Sequence, residues 1–200
     1  MYEMDVELTG LVPMMHDRFF NPEEVDTSGA KLTGKDAWKK LLPFKAYIDK
    51  NGAFIPTDNL RMMLIGNKHR RGAAQILGSD IQKAKGSKYK SICVACIWVL
   101  GKVDPQKVYL SPRRATFDDY DERSFINATG SRSLTRRPIF NVPWKLDFIV
   151  QVTEDRIDES LVRELFDVAG LRCGVGAYGP TFGRCRVTAW QLRSKKAAKK

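Results

Sequence analysis

Two histidines, four cysteines and several acidic pairs are the residues of this 200-residue chain that could carry covalent, acid–base or metal chemistry. His16 follows the first alternating apolar segment. A ribonuclease working without metal needs a general base near the scissile 2′-hydroxyl and cations for the developing phosphorane charge, and His16 is the candidate for that role. A lone loop histidine is more often a hydrogen-bonded or solvent-facing side chain. His69 stands among cations and reads as a further phosphate contact inside a basic helix. Cys93 and Cys96 match C-x₂-C, and Cys173 with Cys185 would complete four zinc ligands. The apolar run that holds the first pair reads as a strand, where residues three apart point to opposite faces, so buried thiols and no metal are expected. Asp118-Asp119 and Asp121-Glu122 could hold magnesium, but no histidine or P-loop accompanies them, and a solvated acidic loop is expected. No catalytic residue, metal or cofactor is assigned on this evidence.

Binding chemistry is better supplied. Seven cations stand between Lys68 and Lys90, among them Lys68, Arg70 and Arg71, against the single acid Asp80. A second group is Arg132, Arg136 and Arg137. Gly174, Gly176, Gly179 and Gly183 crowd one loop that contains Tyr178 and Phe182 and is flanked by Arg172, Arg184 and Arg186. Glycines at that density let backbone amides approach a ligand, although they also serve tight turns. No dinucleotide fingerprint fits, because that needs a strand before the glycines and a helix after them. Cations for phosphates and flat rings for bases are what a single-strand binder requires. The candidate interface is therefore Lys68, Arg70, Arg71, Arg132, Arg136, Arg137, Tyr178, Phe182 and Arg184.

The elements that must position these residues follow from periodicity. Tyr2, Met4, Val6 and Leu8 alternate with polar residues as a strand with one wet face. Residues 11–50 are irregular, with a short helix expected around Asp36 to Leu42. Asn51-Gly52 signals a turn, and Ala53 to Ile55 a short strand. A helix capped at Thr57 or Asp58 carries Leu60, Met63 and Leu64, and then Ala73 to Leu77, with Gly66 and Gly72 breaking it into two pieces. Ile92 to Leu100 is continuously apolar and reads as a central strand buried on both faces. Residues 101–143 lack clear periodicity and read as a long insertion with at most short strands. Leu146 to Val152 alternate as a third strand; Asp158 caps an amphipathic helix that Gly170 ends; Val187 to Leu192 form the last strand. The order is an α+β, ferredoxin-like βαββαβ core with a long insertion between the second and third core strands. Residues 1–192 are expected to form a single domain and 193–200 a basic tail.

Composition bounds what this core meets. Lys and Arg number 34 against 23 Asp and Glu, a net charge of +11; removing the five cations of Arg193 to Lys200 still leaves +6 on residues 1–192. With 43% hydrophobic residues the chain is an ordinary globular mixture rather than a disordered or fibrous one. No apolar run approaches the ~20 residues of a membrane helix, no secretory signal is visible, and a cytoplasmic setting with no membrane partner is expected. The acid-rich first 30 residues contrast with the basic helix, a segregation suited either to head-to-tail contact between copies or to internal neutralisation.

A ferredoxin-like order with a glycine-rich loop just before its final strand resembles the RAMP superfamily, RNA-binding proteins that include the backbone subunits and guide-processing ribonucleases of CRISPR systems. Asn51-Gly52, Ile55-Pro56 and the helix opening at Leu60-Arg61 look like that superfamily's turn, strand, Ile-Pro and basic helix start. Strand one followed by Leu11-Val12-Pro13 and His16 is similar to the first strand and following loop of many members. Thr57-Asp58 stand where Gly-Ser often follows Ile-Pro, and Met62, Met63 and Leu64 replace the expected small residues and arginine. The resemblance implies a non-catalytic binder of single-stranded nucleic acid, RNA favoured and single-stranded DNA possible. It also implies assembly along the ligand as a homo-oligomer or ribonucleoprotein subunit, with residues 101–143 in the place of a thumb; a virus-borne or orphan relative fits equally. The alternative is a metal-independent endoribonuclease of the CRISPR RNA-processing type using His16, and a third reading is an assembly protein whose charge serves only to pack near nucleic acid.

Overall fold

Alternation in the first strand organises the molecule. In the structure, a computed structural model describing residues 1–21, 37–81, 86–126 and 130–193, β1 (Tyr2–Gly10) buries Met4, Val6 and Leu8 and turns Glu3, Asp5 and Glu7 to the other face. It pairs antiparallel with β10 (Cys185–Leu192) on one edge and with β9 (Lys145–Val152) on the other. The far edge of β9 carries β5 (Ile97–Gly101), with Val99 opposite Val150, and then β6 (Lys107–Ser111), with Leu110 opposite Leu146. Beyond β6 the sheet continues to β4 (Gly52–Pro56) and β3 (Ile48–Asp49), seven strands in all. A smaller sheet joins β2 (Met14–Met15), β8 (Arg132–Phe140) and β7 (Asp119–Ile126). The fold is α+β with antiparallel sheets.

Helices α1 (Ala37–Leu41), α2 (Thr57–Ile65), α3 (Ala73–Gln75), α4 (Gly86–Cys96) and α5 (Glu159–Val168) complete the described elements. The Asp158 carboxylate accepts from the Ser160 amide at 2.8 Å and caps α5, whose Val162, Leu165 and Phe166 are buried. Phe166 packs on Phe148 of β9, ring centroids 5.9 Å apart, so this helix covers the apolar face that β1 and β9 share. The opposite face is a lattice of charges: Lys102 lies 3.1 Å from Asp5 and 2.7 Å from Asp147, Lys145 pairs with Glu7, and Arg193 reaches Glu3 and Asp5.

Several expectations are corrected. Ile92 to Leu100 is not one strand: α4 runs through Cys96 and β5 begins at Ile97, with Trp98 exposed and Ile97 and Val99 buried. A short apolar run does not distinguish helix from strand by periodicity, and here it spans both. Cys93 and Cys96 consequently sit three apart on a helix, where such residues share a face, so the argument from opposite strand faces does not apply. All four cysteines are free thiols, and among the described residues no group of three His, Cys, Asp or Glu is placed to hold a metal. The insertion holds strands of eight and nine residues, a long hairpin rather than short pieces. His69 lies in the turn between α2 and α3, not in a helix. α5 passes Gly170 through a π-helical turn and closes at Gly174, whose φ of 72° suits glycine. The split at Gly66 and Gly72 is present. Apart from Arg193, the basic tail lies outside the described residues, as do Glu23, Glu24, Asp26, Lys83 and Lys85.

Candidate nucleic-acid interface

At the end of the sheet where β1 leaves and β10 enters, the chain crosses itself. The amide of Val175 donates to Gly183 O, that of Gly183 to Pro13 O and that of Ala177 to Met15 O, each at 2.8 Å. Gly176 and Gly183 have φ of 79° and 72°, and a Cβ on either would collide with a backbone carbonyl oxygen, of Met15 and Val175 respectively. Glycine density here is spent on backbone crossing and close approach between the loop and the segment after β1. Arg70 completes the tie: its guanidinium donates to the carbonyls of Cys173 and Gly174, the latter at 2.6 Å.

The β7–β8 hairpin closes over this loop. Opposed residues of an antiparallel pair share a face, and Asp121, Arg123, Thr135 and Arg137 form the face turned to the loop. The Arg123 guanidinium lies 4.9 Å from the Tyr178 ring and 5.4 Å from that of Phe182, and Arg137 lies 4.8 Å from Tyr178. Cation–ring contacts of this kind hold two surfaces together. Tyr178 remains 41% exposed and has φ of 55°, the one described non-glycine residue with positive φ. Asp121 pairs with Arg123, and Asp17 with Arg137 at 2.6 Å. On the hairpin's other face Arg136 pairs with Glu122 and lies 4.1 Å from the Trp38 ring.

Below the loop lies a cavity of about 250 Å³ whose walls include His16, Asp17, Asn59, Arg70 and Gly176. His16 is buried; its Nδ1 accepts from the Tyr47 amide at 3.2 Å, which places the proton of the neutral ring on Nε2, and burial holds its pKa down to about 3. Nε2 is closed to solvent and makes no hydrogen bond.

The nine expected contact residues thus divide by environment. Arg70, Arg137, Tyr178 and Phe182 converge on the loop; Arg136 is on the back of the hairpin; Arg132 is exposed toward its tip; Arg71 donates to Ser79 Oγ and Gln75 O; Lys68 is exposed in the turn after α2. Arg184 is exposed at the start of β10, beside Leu171, Arg172, Pro180 and Thr181 on a shallow depression. Sequence reasoning missed Asp17, Trp38 and Arg123. Arg123 ends an acidic-looking run, and only the hairpin register shows that it faces the loop. Three of the four acids in the two pairs of that run are bound to cations within the protein, Asp118 to Arg114 at 3.1 Å, Asp121 to Arg123 and Glu122 to Arg136.

No protein-family description matches the chain, and no curated protein sequence matches it. Its fold is similar to that of a chain in the cryo-EM structure of the type III-B Cmr-beta complex bound to cognate target RNA, with a TM-score of 0.54 and 11% sequence identity. The match covers 96% of this chain and 60% of that one, so this chain spans about three fifths of its neighbour's length. The likeness is one of fold, distant, and agrees at that level with the RAMP-type resemblance. No described helix is long and apolar enough to cross a membrane.

Proposed function

We propose that the protein binds single-stranded nucleic acid, RNA in preference to DNA, without cleaving it, as a subunit of a ribonucleoprotein assembly in which copies follow one another along the strand. What carries the reading is the alternation of guanidinium and ring where hairpin meets loop: Arg137, Tyr178, Arg123 and Phe182 stand in succession beside a cavity edged by Arg70. Such an array sets one exposed ring, Tyr178, among guanidinium groups, the combination of flat surface and cation that a single strand uses. The spatial order β10-β1-β9-β5 supports a ferredoxin-like βαββαβ core with residues 101–143 inserted between its second and third strands. Likeness to a chain from a CRISPR complex bound to target RNA supports RNA as ligand and a CRISPR-type setting. Lys68, Arg71, Arg132, Arg136 and Arg184 extend the interface.

The endoribonuclease reading is disfavoured by His16. A general base needs a pKa near the working pH and a ring nitrogen within reach of substrate. His16 has its pKa held down to about 3 and its Nε2 sealed from solvent.

Labelled RNA and DNA oligonucleotides of one sequence, titrated in EDTA over a range of salt, test the proposal. Salt-sensitive binding, tighter for RNA and without cleavage, is the expected result. Metal-free cleavage abolished by His16→Ala would establish the ribonuclease instead, and absence of binding would leave only an assembly role. Light scattering with and without a long oligonucleotide tests the assembly, which a strictly monomeric protein coating the strand without cooperativity would refute.

A further inference from the structure

Phe19 is 92% exposed, although burying a phenylalanine ring is ordinarily among the larger gains of folding. The chain that carries it is held on both sides of Asp17: the His16 amide donates to Pro138 O at 3.0 Å and the Arg18 amide to Lys45 O at 2.9 Å. The next residue, Phe20, packs on Phe44 with ring centroids 5.9 Å apart, and Phe44 is itself 38% exposed. Asp17, Arg18, Phe19, Phe20 and Lys45 line a cavity of about 330 Å³. Asp17 is also part of the wall of the cavity under the glycine loop, so the two depressions adjoin. Its charge is matched by Arg137, and the other charged residues that line the cavity are Arg18 and Lys45, whose half-buried ammonium also donates to Thr135 Oγ1 at 3.4 Å.

Resting on the single-strand reading above, we propose that this is a separate base-stacking subsite. Phe19 is the platform for one unpaired nucleobase, the Phe20–Phe44 pair is its brace, and Arg18 and Lys45 receive the phosphates on either side. Charge complementarity favours this occupant over a second copy of the chain, because an exposed ring flanked by cations suits a polyanion with flat faces better than it suits another basic protein.

The test compares wild type, Phe19→Ala and Phe19→Trp, each as the full chain, on a uridine oligonucleotide and on an abasic oligonucleotide of the same length. Phe19→Ala should weaken binding to the uridine strand about 5-fold or more. The abasic strand and the salt slope should not change, because no phosphate contact is removed. Phe19→Trp should restore the loss. Photo-crosslinking of wild type to a 5-iodouridine strand should mark the peptide containing Phe19. If wild type binds and Phe19→Ala binds both strands equally well, the subsite is refuted while the parent reading stands; if wild type binds neither strand, the parent reading fails with it. A change in assembly mass without a change in uridine affinity would assign the ring to a protein contact and overturn the proposal.

Discussion

The Arg137 guanidinium stands 4.8 Å from the centre of the Tyr178 ring. Both residues look like nucleic-acid contacts in the sequence, yet in the folded chain they are each other's neighbours, and this contact fixes how the hairpin sits on the glycine loop. Arg137 is further tied to Asp17, so the cation couples three separate segments and its removal reaches beyond one phosphate.

Charge contacts of different kinds should therefore separate in a salt titration. Lys68→Ala and Arg132→Ala should each flatten the log-log salt slope of RNA binding by about 0.7, the value for one single-strand phosphate. Arg137→Ala should weaken binding to all sequences while changing the slope less, because its charge already has a carboxylate partner. Equal slope changes in all three variants would contradict this division.

Arg70 is half-buried and donates to two loop carbonyls besides Gly176 O at 3.4 Å. Arg70→Ala should cost about 2 kcal/mol of stability, the scale of hydrogen bonds made by a charged donor. Arg70→Lys should recover only part, because an ammonium does not reproduce the planar fork. Thermal unfolding measures both, and an unchanged midpoint in Arg70→Ala would show that the loop stands without its tie.

Gly183 adopts φ of 72° and has no room for a Cβ beside the Val175 carbonyl. Gly183→Ala should lower the melting temperature and abolish binding together, whereas Gly130→Ala, at φ of 80° but with open space around it, should cost about 1–2 kcal/mol, the strain of the left-handed backbone alone. Similar losses in the two variants would mean that backbone conformation, not the crossing, sets the cost.

His16 is neutral in the folded chain, with its pKa lowered from 6.5 to about 3. Its contribution to stability is complete above about pH 6.5 and is lost as pH falls below that, because only the unfolded chain then takes up the proton. The slope from this residue is at most about 1.4 kcal/mol per pH unit. Denaturant unfolding between pH 7 and 5 should show it, and His16→Gln should flatten it. RNA affinity over the same range should carry no inflection that His16→Gln removes.

Much of the frame was legible before the structure. β1, β9 and α5 each bury one face and wet the other, so Met4, Val6 and Leu8, or Leu165, Phe166 and Ala169, announce their element by spacing alone. The hairpin did not, because both its faces meet side chains that themselves carry charge or rings: Arg136 packs on Trp38 and Arg137 on Tyr178. An alternation of cation with cation has no hydropathy signature. Asp17 and Arg123 were invisible as site residues for a related reason, since their partners lie far along the chain and nothing local distinguishes them from solvated charge. The glycine loop was recognised as special, but the work its glycines do, crossing Pro13 and Met15, depends on a neighbour that spacing does not reveal.

The lattice on the open sheet face sets how the molecule turns in an external field. Glu3, Asp5, Glu7 and Asp147 occupy one side of the sheet and hold Lys102, Lys145 and Arg193 among them, so cations on that side are largely compensated while the chain as a whole keeps a net charge of +11. Among the described residues, that side of the sheet meets an approaching charge with its carboxylates already paired, while Lys68, Arg132 and Arg184 stand exposed elsewhere. A polyanion arriving within the roughly 8 Å Debye length of physiological salt exerts a torque before it makes contact and rotates the lattice away from itself. Encounters are thereby sorted by orientation, and neutralising Asp5 and Asp147, which frees Lys102, should speed association while widening the range of orientations in which the strand first meets the surface.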